Sequence, residues 1–214
     1  MNDYLLKTAA YILNGCVLTF QIYGVTILLS VPLGIALAVL RLSKSRVLAL
    51  GISTYSWLVR GTPLLLQLMF VYYGLSVFGI NLSPFAAAAI TFVVNYAAYF
   101  MEIFRGGIES IEKGQYEAAR ALGLNYGQTM RRIIVPQTIK RCLPPVSNEA
   151  ITLVKDTALV AVIGMGDLLR SAREVFTRDF TIIPFLIAAA IYLVITWVIV
   201  AIFRRLEARF SYYE

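Results

Sequence analysis

The chain has no histidine, two cysteines and few charged residues, and each shortage excludes a class of function. Without histidine it lacks the commonest general base and metal ligand. Cys16 lies inside an apolar run and Cys142 in a basic stretch, settings that give neither a disulfide framework nor a metal site. No Gly-x4-Gly-Lys-Ser/Thr phosphate loop occurs, so no ATP site of that kind belongs to this chain. No nucleophile–base pair or carboxylate cluster supports an enzyme, and no cofactor is expected. Charged residues make up 14% of the 214 positions, where a soluble domain carries about a quarter. A cleaved leader is not expected either, because the first apolar run is too long and only Lys7 precedes it.

What is present is apolar length. Hydrophobic residues are 59% of the chain, and several runs reach the roughly 20 residues that cross a bilayer. The runs are continuous rather than alternating, so helices and not a barrel satisfy the backbone in lipid. The expectation is an all-α integral membrane protein, a single domain over 1–214. Its five transmembrane helices fall at about 15–40, 53–78, 84–104, 146–164 and 182–203, with one long polar loop at 105–145. Residues 1–14 read as an amphipathic lead-in. Ser30, Gly34 and Ala38 form a small-residue seam for close helix approach, and Pro32 predicts a kink. Arg60-Gly61-Thr62-Pro63 interrupts the second span, with Thr62 expected as N-cap and Pro63 at the first helical position. The segment 167–179 is amphipathic, with Leu168, Leu169, Ala172, Val175 and Phe176 on one side. It reads as a lid, or as a docking edge for an external protein.

Five spans put the termini on opposite sides, and the positive charges orient them. Thirteen of the 19 Lys/Arg lie in 41–46, 105–145 and the tail; four, Lys7, Arg170, Arg173 and Arg178, lie on the other side. The N-terminus is therefore expected outside, with the C-terminus and the 105–145 loop in the cytoplasm. The net charge of +7 thus needs no nucleic acid; its partner is the membrane.

Polar residues within the spans are costly and mark interiors or wet cavities. Thr91, Asn95, Tyr99 and Glu102 share one face of the third span, while Lys155-Asp156-Thr157 breaks the fourth. With Gln67, the residues Asn95, Tyr99, Lys155, Asp156 and Thr157 are the candidate pathway for a small polar cargo. Lys155 suits a carboxylate, and Asp156, Asn95 and Tyr99 suit an ammonium. A Lys–Asp or Lys–Glu pair that locks the bundle is the other reading. Adjacent Lys155 and Asp156 point about 100° apart on a helix, so both cannot face one small ligand squarely and one of them is expected to be structural. Arg60 reads either as part of this pathway or as an anchor to headgroups or a Glu102-type partner.

The long loop carries the most specific signal. Glu117-Ala118-Ala119, three residues, Gly123, nine residues, then Ile133-x-Val135-Pro136 lie between two membrane spans. Residues 115–122 favour a helix, Gly123 stops it, and a second helix follows until Pro136 bends or ends it. This spacing resembles the EAA loop of ATP-binding-cassette importer permeases, with Val135 in place of leucine. The resemblance extends to Arg60-Gly61-Thr62-Pro63 with Gln67, to Asn95-x3-Tyr99-x2-Glu102-x2-Arg105-Gly106, and to Lys155-Asp156-Thr157. These match the polar amino-acid branch of the family. The resemblance implies a type I importer fold with a coupling-helix loop. It also implies a homodimer or a pair with a similar permease, an ATPase subunit dimer holding ATP and magnesium, and an extracellular or periplasmic amino-acid-binding protein. Glu117, Ala118, Ala119, Gly123 and Pro136 would then couple to the ATPase. The alternative is a stand-alone secondary transporter driven by an ion gradient through Lys155 and Asp156.

Overall fold

A computed structural model describes residues 2–210, and every regular element among them is helical. Met1 and the end of the expected tail, 211–214, lie outside the described residues.

Helix α1 (Asn2–Arg41) absorbs the expected lead-in and first span into one rod. Pro32 lies inside it without ending it. Ser30 and Ala38 are buried, and a Cβ on Gly34 would stand 2.7 Å from Phe100 Cβ, so the small-residue seam lets α1 press against the third span. That span is α5 (Pro84–Glu109), described below. Helix α2 (Arg46–Arg60) follows, capped by the Ser45 hydroxyl. The chain then turns through 98° into α3 (Leu64–Met69), a π turn at Phe70–Gly74, and α4 (Leu75–Val77).

The elbow departs from the expected capping. Pro63, at φ −62 and ψ 135, takes the N-cap position, and Thr62 does not cap. A residue before proline is pushed out of the helical region, so the sharp turn falls at Thr62. Its hydroxyl instead donates to Leu58 O at 2.8 Å.

Helix α5 starts at Pro84, the expected first residue of the third span, and Ser83 caps it. It is the spine of the molecule. Phe92, Tyr96 and Phe100 join Ile22 of α1 and Leu68 of α3 in one apolar core, which also takes residues of the fourth span. Short helices α6 (Lys113–Ala121) and α7 (Tyr126–Thr129) project beyond its end.

The largest departure from expectation is α8 (Val135–Asp156). Pro136 sits in the first turn of α8 and does not end the helix. The turn before it widens to π geometry over Met130–Ile134, with Val135 N–H bonded to Met130 O, which relieves the ring's clash. The helical path thus runs unbroken from Tyr126 to Asp156, and 135–145 is helix rather than loop. After Asp156 it tightens to a 3-10 run, Thr157–Ile163, stopped by Gly164 at φ 85. The expected span 146–164 is therefore the end of one helix plus this tighter turn.

Helix α9 (Leu168–Asp179) places Leu168 and Ala172 in a second core with α1, α8 and α10 (Ile183–Arg209), and its Val175 is also buried. Leu169 and Phe176 are more exposed. Leu193, Val194, Trp197 and Ile202 leave the surface of α10 apolar, as lipid requires.

Among the described residues three helices, α1, α5 and α10, are long and apolar enough to cross a membrane, or four if the bent α2–α4 pair is one span. The charges of α8 keep it out of that set, so five such helices are not found. The result is an all-α multi-pass membrane fold.

Candidate functional site

The elbow, α5 and α8 enclose a cavity of about 550 Å³. Arg60, Thr62 and Pro63 come from the elbow, Asn95, Tyr96 and Tyr99 from α5, and Glu149, Thr152 and Asp156 from α8. The last three follow i, i+3, i+7 and so share one helix face. The cavity therefore carries one guanidinium and two carboxylates.

Its polar wall is held by specific bonds. Tyr96 donates through its hydroxyl to Asp156 Oδ2 at 2.8 Å, tying α5 to α8. The Arg60 guanidinium carbon stands 5.3 Å from the Tyr99 ring centroid, a cation–π distance. Buried Asn95 donates to Gln67 Oε1 at 3.0 Å. Gln67 Nε2 in turn donates to Val59 O at 2.7 Å and to the Thr62 hydroxyl at 2.8 Å. That clasp satisfies carbonyl and hydroxyl groups freed by the elbow.

The expected pathway residues thus divide. Asn95, Tyr99 and Asp156 come together on the cavity. Gln67 braces the elbow and lines a neighbouring apolar hollow of about 500 Å³ instead. Thr157 is fully buried, its hydroxyl turned to Val154 O at 2.8 Å. Lys155 is exposed and does not line the cavity. Sequence reasoning missed Tyr96, Glu149 and Thr152. The Glu149-x2-Thr152-x3-Asp156 spacing was the available signal, but Glu149 sat at the edge of what read as an apolar span.

At the opposite end, α6 and α7 form a protruding knob. Gly123 has φ 77; its N–H bonds Arg120 O and that of Leu124 bonds Ala119 O, both at 3.0 Å, which closes α6 in a Schellman turn. Asn125 and Gln128 then form a reciprocal capping box that starts α7. Glu117 and Ala118 are exposed, Ala119 is buried, and Pro136 is half-buried at the root of α8. Two large side chains the sequence did not single out, Leu122 and Tyr126, stand 79% and 74% exposed beside Gly123.

None of the described residues of α9 lines the cavity. The helix is latched to α1 by Tyr4 hydroxyl to Asp179 (2.8 Å) and Tyr11 hydroxyl to Glu174 (2.7 Å). The Arg178 guanidinium and the Tyr4 hydroxyl hold the Asp179 carboxyl down to about 2. Hydrogen bonds from Tyr11 and Arg170 lower Glu174 as well. Among the described residues no cluster of Cys, Asp or Glu could hold a metal ion.

A charged cavity lined by three parts of a helical membrane bundle, with a protruding knob at one end, fits the membrane component of a solute transporter. Comparison with known proteins gives the particular kind. The family described as "Binding-protein-dependent transport system inner membrane component" matches residues 30–212. The chain is 39% identical over 201 residues to the arginine transport system permease protein ArtQ of Bacillus subtilis (strain 168), covering 93% of this chain and 92% of that one. It is 34% identical over 214 residues to a putative glutamine transport system permease protein GlnP of Rickettsia bellii (strain RML369-C), covering 98% of each. A crystal structure of an amino acid ABC transporter with histidines superposes with a TM-score of 0.89 at 36% identity, covering 96% of this chain and 97% of that one. The chain belongs to this family: it is a permease subunit of an ABC-type importer for polar amino acids, a non-catalytic part of a multi-subunit transport system.

Proposed function

We propose that the cavity between the elbow, α5 and α8 is the cargo site, and that its cargo is a cationic amino acid of the arginine type. The observation that carries this reading is the charge set: Arg60 faces a carboxylate, while Glu149 and Asp156 face an ammonium and a cationic side-chain end. A neutral amino acid would leave one of the two acidic groups without a counter-charge. The similarity to an arginine permease points the same way. Asn95, Tyr96, Tyr99 and Thr152 supply the remaining donors and ring faces. Gln67 and Thr157 serve the pathway from behind, bracing the elbow and starting the 3-10 turn.

The rest of the assembly follows in the same reading. The chain spans the bacterial cell membrane five times, with α2–α4 and α8 with its 3-10 end as the second and fourth spans. The surplus of Lys/Arg at 41–46, 105–145 and the tail puts the N-terminus outside and the knob in the cytoplasm. There Glu117, Ala118, Ala119 and Gly123 meet a separate ATPase subunit, with Leu122 and Tyr126 as apolar anchors of the kind that dominate interfaces. Exposed Lys155 sits at membrane depth, where an ammonium is costly in lipid, so its face meets a second permease copy or the water between the two copies. An external amino-acid-binding protein delivers the cargo.

Coupling needs no separate relay. The knob end of α7 and the acidic wall of the cavity belong to one helical rod, about 35 Å from Tyr126 to Glu149 at 1.5 Å per residue. A Cβ on Gly107 of α5 would lie 2.2 Å from Cys142 Sγ, so the rod packs tightly on α5 between those two points, and that contact serves as the pivot. When ATP closes the ATPase pair, the displaced knob swings Glu149 and Asp156 relative to α5.

The test is equilibrium binding of radiolabelled arginine to the purified permease–ATPase complex, with unlabelled arginine, lysine, glutamine and cystine as competitors. Arginine and lysine should compete best, and Asp156→Asn with Glu149→Gln should remove their advantage. Equal competition by glutamine in the unmodified complex would contradict the charge argument.

A further inference from the structure

Arg60 is held loosely at the cavity wall. Its Nη1 lies 3.9 Å from Glu102 Oε1, longer than a hydrogen bond, and its side chain remains 42% exposed. Among the described residues Glu102 is its ion-pair partner. Glu102 is better provided. Ser56 donates through its hydroxyl to Oε1 at 3.1 Å, and Arg105 donates to Oε2 through Nε at 2.9 Å and Nη2 at 2.6 Å. Arg105 also pairs with Glu109, so the carboxylate belongs to a chain of charges that persists without Arg60. Losing Arg60 would therefore leave Glu102 hydrogen-bonded on both oxygens, whereas Arg60, with Glu149 and Asp156 on the same cavity, has Glu102 as its one carboxylate within ion-pair distance among the described residues.

We propose that Arg60 exchanges Glu102 for the cargo carboxylate, and that Glu102 is a positioning residue that sets the affinity of the site by competing for the guanidinium. The proposal rests on the cargo reading above. In the empty site Glu102 and the Tyr99 ring hold Arg60 at the cavity wall without locking it. In the filled site the guanidinium swings to the cargo, and Ser56 and Arg105 keep Glu102 satisfied. Binding then reads as a partition between two anions, and its apparent strength falls by the fraction of time Arg60 is held by Glu102.

The experiment measures binding of L-arginine and of L-argininamide, which lacks the carboxylate, to the permease–ATPase complex in lipid nanodiscs. Glu102→Gln should tighten arginine by about fivefold, the upper range for a half-exposed ion pair, and leave argininamide unchanged. Ser56→Ala frees Oε1 to hold Arg60 more firmly, so it should weaken arginine by about twofold, again without touching argininamide. Its opposite sign decides the matter if Glu102→Gln does not yield a complex. Arg60→Gln should erase the preference for arginine over argininamide. If Arg60→Gln erases it while arginine binds Glu102→Gln or Ser56→Ala as it binds the parent, the exchange is overturned and the cargo site stands. If Arg60→Gln leaves the preference intact, the guanidinium does not meet the carboxylate, and the exchange is overturned with that part of the site.

Discussion

The two helical walls of the cavity are built on opposite plans. The α5 wall is sealed from behind by α1, so closely that a single Cβ on Gly34 would strike Phe100. Its cavity residues stand on a helix with eleven buried positions and no internal proline. The α8 wall carries Pro136 at its start and Pro144 and Pro145 inside, is preceded by a π turn, and ends in a 3-10 run. Prolines and π turns are the usual places where a helix bends. One wall is tightly packed and the other carries the features at which helices bend, and the charges follow this division: the carboxylates Glu149 and Asp156 stand on the second wall. A carrier needs such an arrangement, since cargo must be gripped in one state and released in the other.

The comparison is broken most directly at the tightly packed wall. Gly34→Leu forces a large side chain into the α1–α5 seam, where overpacking costs about 1–3 kcal/mol or more, and it should abolish monodisperse protein in detergent size exclusion. A monodisperse, active variant would show that the seam yields. At the pivot, Gly107→Val should preserve ATPase attachment yet uncouple it, leaving ATP hydrolysis that no longer responds to cargo. Retained response would move the pivot elsewhere.

Next come the charges of the second wall. Asp156→Asn removes a charge-assisted bond of about 1.5–3 kcal/mol, so arginine uptake should fall about tenfold to a hundredfold while the purified complex stays intact. Loss of the complex instead would make the Tyr96–Asp156 bond a structural lock. Gly123→Ala is milder. Its φ of 77 strains any side chain by about 1 kcal/mol, although nothing stands in the way of a Cβ, so co-purification with the ATPase should drop only a few-fold.

The smallest effect concerns the α9 latch. Asp179 is held at about 2, below its ordinary value near 3.8, so its contribution is complete above that ordinary value and is lost as pH falls through about 2. Glu174 is lowered in the same sense. Amide exchange in α9 should therefore be flat from neutral pH to about 4.5, after correction for intrinsic rates, and rise below it. Asp179→Asn should flatten the acid rise in part. An acid rise that survives both Asp179→Asn and Glu174→Gln would place the sensitivity in other carboxylates.

Much of this was legible in the sequence where one rule acted alone. The apolar runs gave α1, α5 and α10, the spacing from Glu117 to Pro136 gave the knob, and Ser30, Gly34 and Ala38 gave the seam. Reading failed where local and tertiary rules compete. Pro136, Pro144 and Pro145 each argue for a break, yet a widened turn and the first-turn position of Pro136 let α8 pass through to Asp156. Lys155 drew attention by interrupting an apolar run, but helix phase turns it away from the cavity while Asp156 faces in. Glu149 escaped notice because its meaning depends on Thr152 and Asp156, two turns further along the same face. Arg60 was legible as a charge, and only the folded elbow shows that it opposes those carboxylates.

The central claim is that one jointed rod carries both the knob and the acidic wall, so that a cationic amino acid in the cavity is felt at the ATPase. Cargo-stimulated ATP hydrolysis by the complex with its binding protein, scanned across the common amino acids and cystine, tests it most directly. The account predicts the greatest stimulation by arginine and lysine, with both responses lost in Asp156→Asn and basal hydrolysis kept. Equal stimulation by neutral amino acids, or an arginine response that survives Asp156→Asn, would contradict it.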